Sequence, residues 1–274
     1  IEIKSGKWTN IISGKTDRES EYNIIVIKGG SISNIFATKQ NRETQGNVNI
    51  SIESGNVENI NTGESNIKGN LGILVIDSEN DIAIQNQNNV EGSYEVSNYK
   101  DNQDVYNNVY FVKDGTNGDG TSPNNSLSSI REAVSKLENK TGTIVICGEL
   151  TLENSTVLPQ YNNITITSVY KNMDYRKINH AHLRLEYGIR FSGETTMENI
   201  NLLATSDSSY IVCGGNKTVF GHCIHFEMWS DRGVRKYTAI IGGFRDPTSV
   251  NNKSTDLTIK SGTWVTIYGG NRCT

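Results

Sequence analysis

His222, His225, Glu227, Asp231, Arg232, Arg235, Arg245 and Asp246 form the densest gathering of chemically useful side chains in the sequence. Polysaccharide cleavage uses such groups. A lyase needs acids that hold calcium or neutralise a uronate, with an Arg or Lys as base. A glycoside hydrolase needs two carboxylates at a set separation. Asp231, Arg232 and Asp246 would carry either reaction. In an extended strand, however, His225 and Glu227 share a face with Cys223, while Ile224, Phe226 and Met228 share the other. The favoured reading is an outward polar stripe followed by an ordinary charged loop, with no catalytic residue. Cys223-x-His225 lacks further ligands at a matching spacing, so no metal is expected.

Two other groups invite a ligand. Asp114 and Asp119 supply hard oxygens in a Gly-rich turn, Asp114–Pro123, that would suit calcium. The turn matches neither EF-hand spacing nor the Gly-Gly-x-Gly-x-Asp repeat. A structural turn without cofactor is therefore expected. The aromatics Tyr161, Tyr170, Tyr175, Tyr187, Trp229 and Tyr237 lie in or near loops, where a ring face with a polar rim suits sugars. Tyr170, Tyr175, Trp229 and Tyr237 are the candidate ligand contacts, and the Val169–His182 excursion is the loop best suited to present them. Cys147, Cys213, Cys223 and Cys273 fit no zinc or redox spacing and read as free, buried thiols, with a Cys213–Cys223 disulfide less favoured.

Composition excludes some partners. The net charge is −4 with both signs interspersed, so no basic field attracts a phosphate backbone and nucleic acid is not expected. No apolar run approaches membrane-span length. Ile1-Glu2-Ile3-Lys4 already reads as strand, so no signal peptide is expected. Only 35% of residues are hydrophobic, and the mean hydropathy is −0.48. Those apolar residues are nonetheless Ile- and Val-rich and regularly spaced, as in a fold with a thin continuous core.

The spacing explains how such a chain folds. Ile3–Ile11, Ile27–Ile35, Ile52–Ile60 and Ile259–Ile267 share one template: an apolar residue three before a Gly, another two after it, and Ile five after it. The glycines of the first three, Gly6, Gly30 and Gly55, stand 24 and 25 residues apart. Ile76 continues the Ile52 slot by another 24. A helix-free period of this length predicts one coil of a solenoid, with about three short strands per coil. Gly supplies a recurring corner. The residue two later, including Trp8 and Trp264, should point into the core. Asn10, Asn34 and Asn59 share a slot and should stack as an amide ladder.

Residues 1–84 hold the first array, 85–108 read as a polar linker or excursion, and 109–274 form a second array. The second opens with the Val109–Val112 strand, the acidic Gly turn and a helix carrying Leu127, Ile130, Val134 and Leu137 on one stripe, with Ser126 as N-cap. Short strands follow at Thr143–Cys147, Ile164–Thr167, Leu183–Leu185, Ile189–Ser192, Met197–Leu203, Tyr210–Cys213, Thr218–Gly221 and Ala239–Ile241.

The strand, turn and helix over Val109–Val134 resemble the entry segment of the pectate-lyase-like right-handed parallel β-helix superfamily, and Met197–Leu202 resembles its coil pattern. Ser261–Gly270 is similar to repeats of large Gram-positive surface proteins. The resemblance implies an all-β solenoid with one short capping helix. It also implies a bacterial cell-surface or secreted location, and a noncatalytic role in adhesion, glycan contact or spacing. A polysaccharide lyase or glycoside hydrolase is the alternative, and a subunit cut from a longer array, associating head to tail through uncapped coils, is a third.

Overall fold

The computed structural model describes residues 1–13, 22–38, 43–63, 65–78, 81–98, 108–206, 209–227, 238–244 and 254–270. These residues are mostly strand, paired in parallel sheets, with few and short helices. None of the helices among them is long and apolar enough to cross a membrane. The chain divides into two compact units, Ile1–Val105 with Tyr170–Ile178, and Tyr106–Val169 with Asn179–Thr274.

In the first unit the repeat becomes register. Ile3 pairs Ile27, and Ile27 pairs Ile52. Ile11 pairs Ile35, Ile35 pairs Ile60, and Ile60 pairs Ile84. Side chains alternate across a strand, so equal spacing places every Ile of a row on the inner face. Ile27, Ile35, Ile52 and Ile60 are buried in one apolar cluster. The 24-residue step does not extend to Ile76, because Val75 pairs Ile52. The segment read as a polar linker is not free of pairing: its first residue, Gln85, ends the Ala83–Gln85 strand beside Asn47–Asn61, and Tyr94–Asn98 pairs Leu71–Val75.

The glycine corners are set by contact as well as by conformation. Gly6, Gly30 and Gly55 have φ of +103°, +96° and +106°, and a Cβ on Gly30 would lie 2.7 Å from the Gly6 carbonyl oxygen. A second column, Gly46, Gly69 and Gly92, runs at 23-residue spacing; a Cβ on Gly92 would lie 2.4 Å from the Gly69 oxygen. Beside it the Asn47 side chain accepts from the Asn70 backbone at 2.8 Å, and Asn70 accepts from Ser93 at 2.9 Å. The Asn10–Asn34–Asn59 column is only partly an amide ladder, since Asn59 donates to the Ser33 carbonyl at 3.1 Å.

The second unit has three parallel sheets, and the chain visits them in a fixed order. Gly142–Ile146, Glu149–Leu152 and Thr156–Val157 are followed by Asn163–Thr167, His182–Leu185 and Gly188–Arg190. Glu194–Glu198, Ile200–Ala204 and Tyr210–Val212 make the next pass, then Thr218–Phe220, Ile224–Glu227 and Ala239–Ile241. The step between passes is 22 residues from Gly142 to Ile164 and 23 from Thr195 to Thr218. It lengthens to 31 from Ile164 to Thr195, where the chain makes its excursion through 170–178.

Three local expectations need correction. Ser129, not Ser126, caps the Ile130–Lys136 helix, accepting from the Glu132 backbone at 3.1 Å. Ser126 is buried against Thr116, and Leu127 forms a β-bridge with Val112 before the helix starts. Met197–Leu203 is two strands, broken at Asn199 with φ of +52°. Trp8 is not a core residue; it is 46% exposed, and among the described residues the Lys7–Ile12 strand pairs only Tyr22–Phe36.

Candidate functional site

The four-stranded sheet of the second unit carries the best-formed polar face. Glu149 pairs His182, Leu183 pairs Leu202, and Asn201 pairs His225, so Glu149, His182, Asn201 and His225 lie in one row. Two residues on, Thr151 and Arg184 stand on the same face, in register with Leu203, which is buried. The intervening Leu150, Leu183 and Leu202 are fully buried, which sets the Glu149–His182–Asn201–His225 row outward.

The face is braced locally. His182 uses Nδ1 to donate to the His180 carbonyl at 2.9 Å, which turns Nε2 towards Glu149 Oε1 at 3.5 Å. Arg184 Nη2 lies 3.2 Å from Glu186 Oε1. Next in sequence, Tyr187 is 46% exposed. A row of amide- and ion-bearing side chains that step by about 4.8 Å from strand to strand, with an exposed aromatic nearby in sequence, suits a ligand with apolar faces and many hydroxyls. Among the described residues no three His, Cys, Asp or Glu side chains converge as a metal site.

The sequence candidates fare unevenly. His222 and His225 are exposed, and His225 closes the polar row. Asp231, Arg232 and Asp246 lie outside the described residues, as do Arg235, Arg245, Trp229, Tyr237 and Cys273. Tyr170 is half-buried, and Tyr175 at 1% exposure has no ring face left for a ligand. Both belong to the Tyr170–Ile178 segment, which packs as part of the first unit rather than standing free as a binding loop. There Asn49 donates to the Asn172 carbonyl at 2.7 Å, and Asn172 donates to Ser93 Oγ at 2.7 Å. Arg176 forks onto Asp174 at 2.9 and 2.7 Å, with side chains 8% and 3% exposed. Burial, then the Asp174 charge, raises the pKa of the neighbouring Tyr22 hydroxyl.

The acidic turn is occupied with its own bonding. Asp119 Oδ1 accepts from the Thr121 backbone, the Thr121 hydroxyl and Asn125 at 2.9, 2.6 and 2.7 Å. Asp114 Oδ2 accepts from the Thr151 backbone at 2.9 Å. Burial opposes the Asp119 charge, but the Thr121 hydrogen bonds and Lys136 outweigh it and hold its carboxyl below the usual range. Among the described residues Cys147, Cys213 and Cys223 form no disulfide; the first two are buried, but Cys223 is exposed.

Sequence reasoning found His225 and Tyr187 but not the row, because Glu149, His182 and Asn201 are brought together by strand pairing alone. Their signal was a polar residue immediately before each Leu-x-Leu or Leu-Leu strand centre. No family model, no curated protein and no solved structure matches this chain.

Proposed function

We propose that this chain is a noncatalytic right-handed parallel β-helix module of a bacterial cell-surface or secreted protein, and that it contacts glycan through the outer face of the second unit. The fixed order in which the chain visits three parallel sheets supports the solenoid reading, since each pass adds one strand to each sheet. Parallel connections are right-handed almost without exception. The observation that carries the function is the face itself: the Glu149–His182–Asn201–His225 row, Arg184 with Glu186, and exposed Tyr187. Such a surface offers stacking and hydrogen bonds to a sugar chain, without a converging acid pair.

A glycan array on the purified chain tests this directly. Bound glycans should be lost on Tyr187→Ala and weakened at least about tenfold on Arg184→Ala or His182→Ala, with unchanged melting. An array without hits, or hits insensitive to all three changes, refutes the assignment. A reducing-sugar and unsaturated-uronate assay on pectin and alginate should detect no turnover. Turnover abolished by Asp231→Asn, Arg232→Ala or Asp246→Asn would replace the binding module with an enzyme.

A further inference from the structure

Tyr210 lies down across the five-stranded sheet of the second unit instead of standing on it. Thr156 pairs Ile189 and Gly188 pairs Tyr210, so Ser155, Gly188 and Tyr210 occupy neighbouring places on three successive passes. The Tyr210 hydroxyl reaches Ser155 Oγ at 3.2 Å. Two strand separations, about 9.6 Å, lie between those residues, and only a recumbent ring bridges them. Gly188 leaves the room: a Cβ there would lie 1.9 Å from Tyr210 Cε2 and 2.2 Å from Cζ. A ring laid on a sheet has one face against backbone and the other turned outward, and Tyr210 is half-buried.

Ile189 is fully buried, so Gly188 and Arg190 both face outward, roughly 6.6 Å apart along the strand. The Arg190 guanidinium lies over the Phe244 ring, 4.7 Å from its centroid. One flat face of the guanidinium is thereby held, and its N–H edge stays available. Arg190 is exposed and, among the described residues, has no carboxylate partner. Arg184 differs, because Glu186 meets its charge at 3.2 Å. Between the two arginines stands exposed Tyr187, at the corner where the chain passes from the four-stranded to the five-stranded sheet.

We propose that the glycan bound by the second unit is anionic: a sugar ring packs on the outward face of Tyr210, and Arg190 holds a carboxylate or sulfate on the same sugar chain. This rests on the glycan reading above and carries it round the Tyr187 corner to a second sheet. An aromatic ring alone does not choose between neutral and charged sugars. A braced guanidinium that no side chain of the protein neutralises does choose, since charge-assisted hydrogen bonds to an anion outweigh those to a hydroxyl. Carboxylate and sulfate both accept its N–H fork.

Fluorescence anisotropy with labelled dextran, carboxymethyl dextran and dextran sulfate tests this on the full chain. The three probes share one neutral backbone and differ in the anionic group. At least one anionic form should bind at least about tenfold tighter than dextran, the worth of one hydrogen bond to a charged group. That advantage should shrink as salt rises. Arg190→Gln should bring the ratio to within about twofold. Lys140→Gln removes an exposed charge elsewhere and should leave the ratio as it was. Gly188→Ala, which drives a Cβ into the Tyr210 ring, and Tyr210→Leu should both weaken binding of the preferred form with unchanged melting. Which form is preferred tells carboxylate from sulfate. Equal affinity for the three probes, an advantage that survives Arg190→Gln or is lost equally in Lys140→Gln, or binding indifferent to both ring variants would each overturn the inference. The glycan reading falls separately, on an array without hits.

Discussion

Asn34 donates its side-chain amide to Asn10 Oδ1 at 3.0 Å, across 24 residues of chain. The same amide reaches the Thr9 carbonyl at 3.3 Å. One side chain thus links the Lys7–Ile12 strand to its neighbour outside the backbone ladder. Asn34→Ala should cost about 1 kcal/mol, the usual net worth of a neutral hydrogen bond. Asn59→Ala, which loses a bond to the Ser33 carbonyl, should cost a similar amount. Urea midpoints measure both; no shift for Asn34→Ala would mean that water replaces the bond at no loss.

Ile35 is fully buried between Ile11 and Ile60. Ile35→Asp places a charge in that buried apolar cluster, and should destabilise the first unit by several kcal/mol, on the order of 4 or more. Lys28 is solvent-facing, and its ion pair with Glu2 is exposed; Lys28→Ala should shift stability by less than about 1 kcal/mol. Equal melting shifts for the two variants would contradict the faces assigned to that strand.

The Tyr170–Ile178 segment makes a sharper test of packing. Removing one partner of the buried Asp174–Arg176 pair by Arg176→Met should cost about 3–5 kcal/mol, because the carboxylate remains buried without its fork. Gly72 is the floor beneath the segment; a Cβ there would lie 2.9 Å from the Asn172 carbonyl oxygen. Gly72→Val should expose 170–178 to protease while leaving the second unit protected. Cutting rates equal to those of the unmodified chain would show that the segment does not depend on that contact.

Burial pushes the Cys147 thiol up to about 11 and the Cys213 thiol up to about 12. Between the ordinary thiol value, about 9, and these values, the unfolded chain has lost protons that the folded chain keeps. Stability is therefore full below pH about 9 and falls as pH rises, by up to about 1.4 kcal/mol per unit for each thiol. Cys147→Ala with Cys213→Ala should flatten that decline in urea titrations, and an unchanged slope would assign it elsewhere. In a Cys273→Ser background, iodoacetamide should label exposed Cys223 quickly and reach Cys147 and Cys213 only on unfolding. Rapid labelling of all three would contradict their burial.

The sequence by itself determined the repeating part of this protein. Ile3, Ile27 and Ile52 announce their pairing because a recurring inward slot needs the same residue type at the same distance, and Gly6, Gly30 and Gly55 recur because no side chain fits that corner. Many strands of the second unit were legible from their apolar alternation, but Glu149–Leu152 and Thr156–Val157 were not, and Met197–Leu203 hid the break at Asn199. The Gly46–Gly69–Gly92 column and the 85–98 pairings escaped notice, since polar Asn-rich turns carry little apolar signal there. Tertiary structure alone decided the rest. Glu149, His182, Asn201 and His225 sit at unequal separations, because the excursion through 170–178 lengthens one pass, and only strand pairing aligns them. The same pairing exposes Trp8 and buries Phe220 beneath Trp264, although the two tryptophans stand in one sequence template. A residue's local pattern sets which way it points; what it meets there depends on strands that lie tens of residues away.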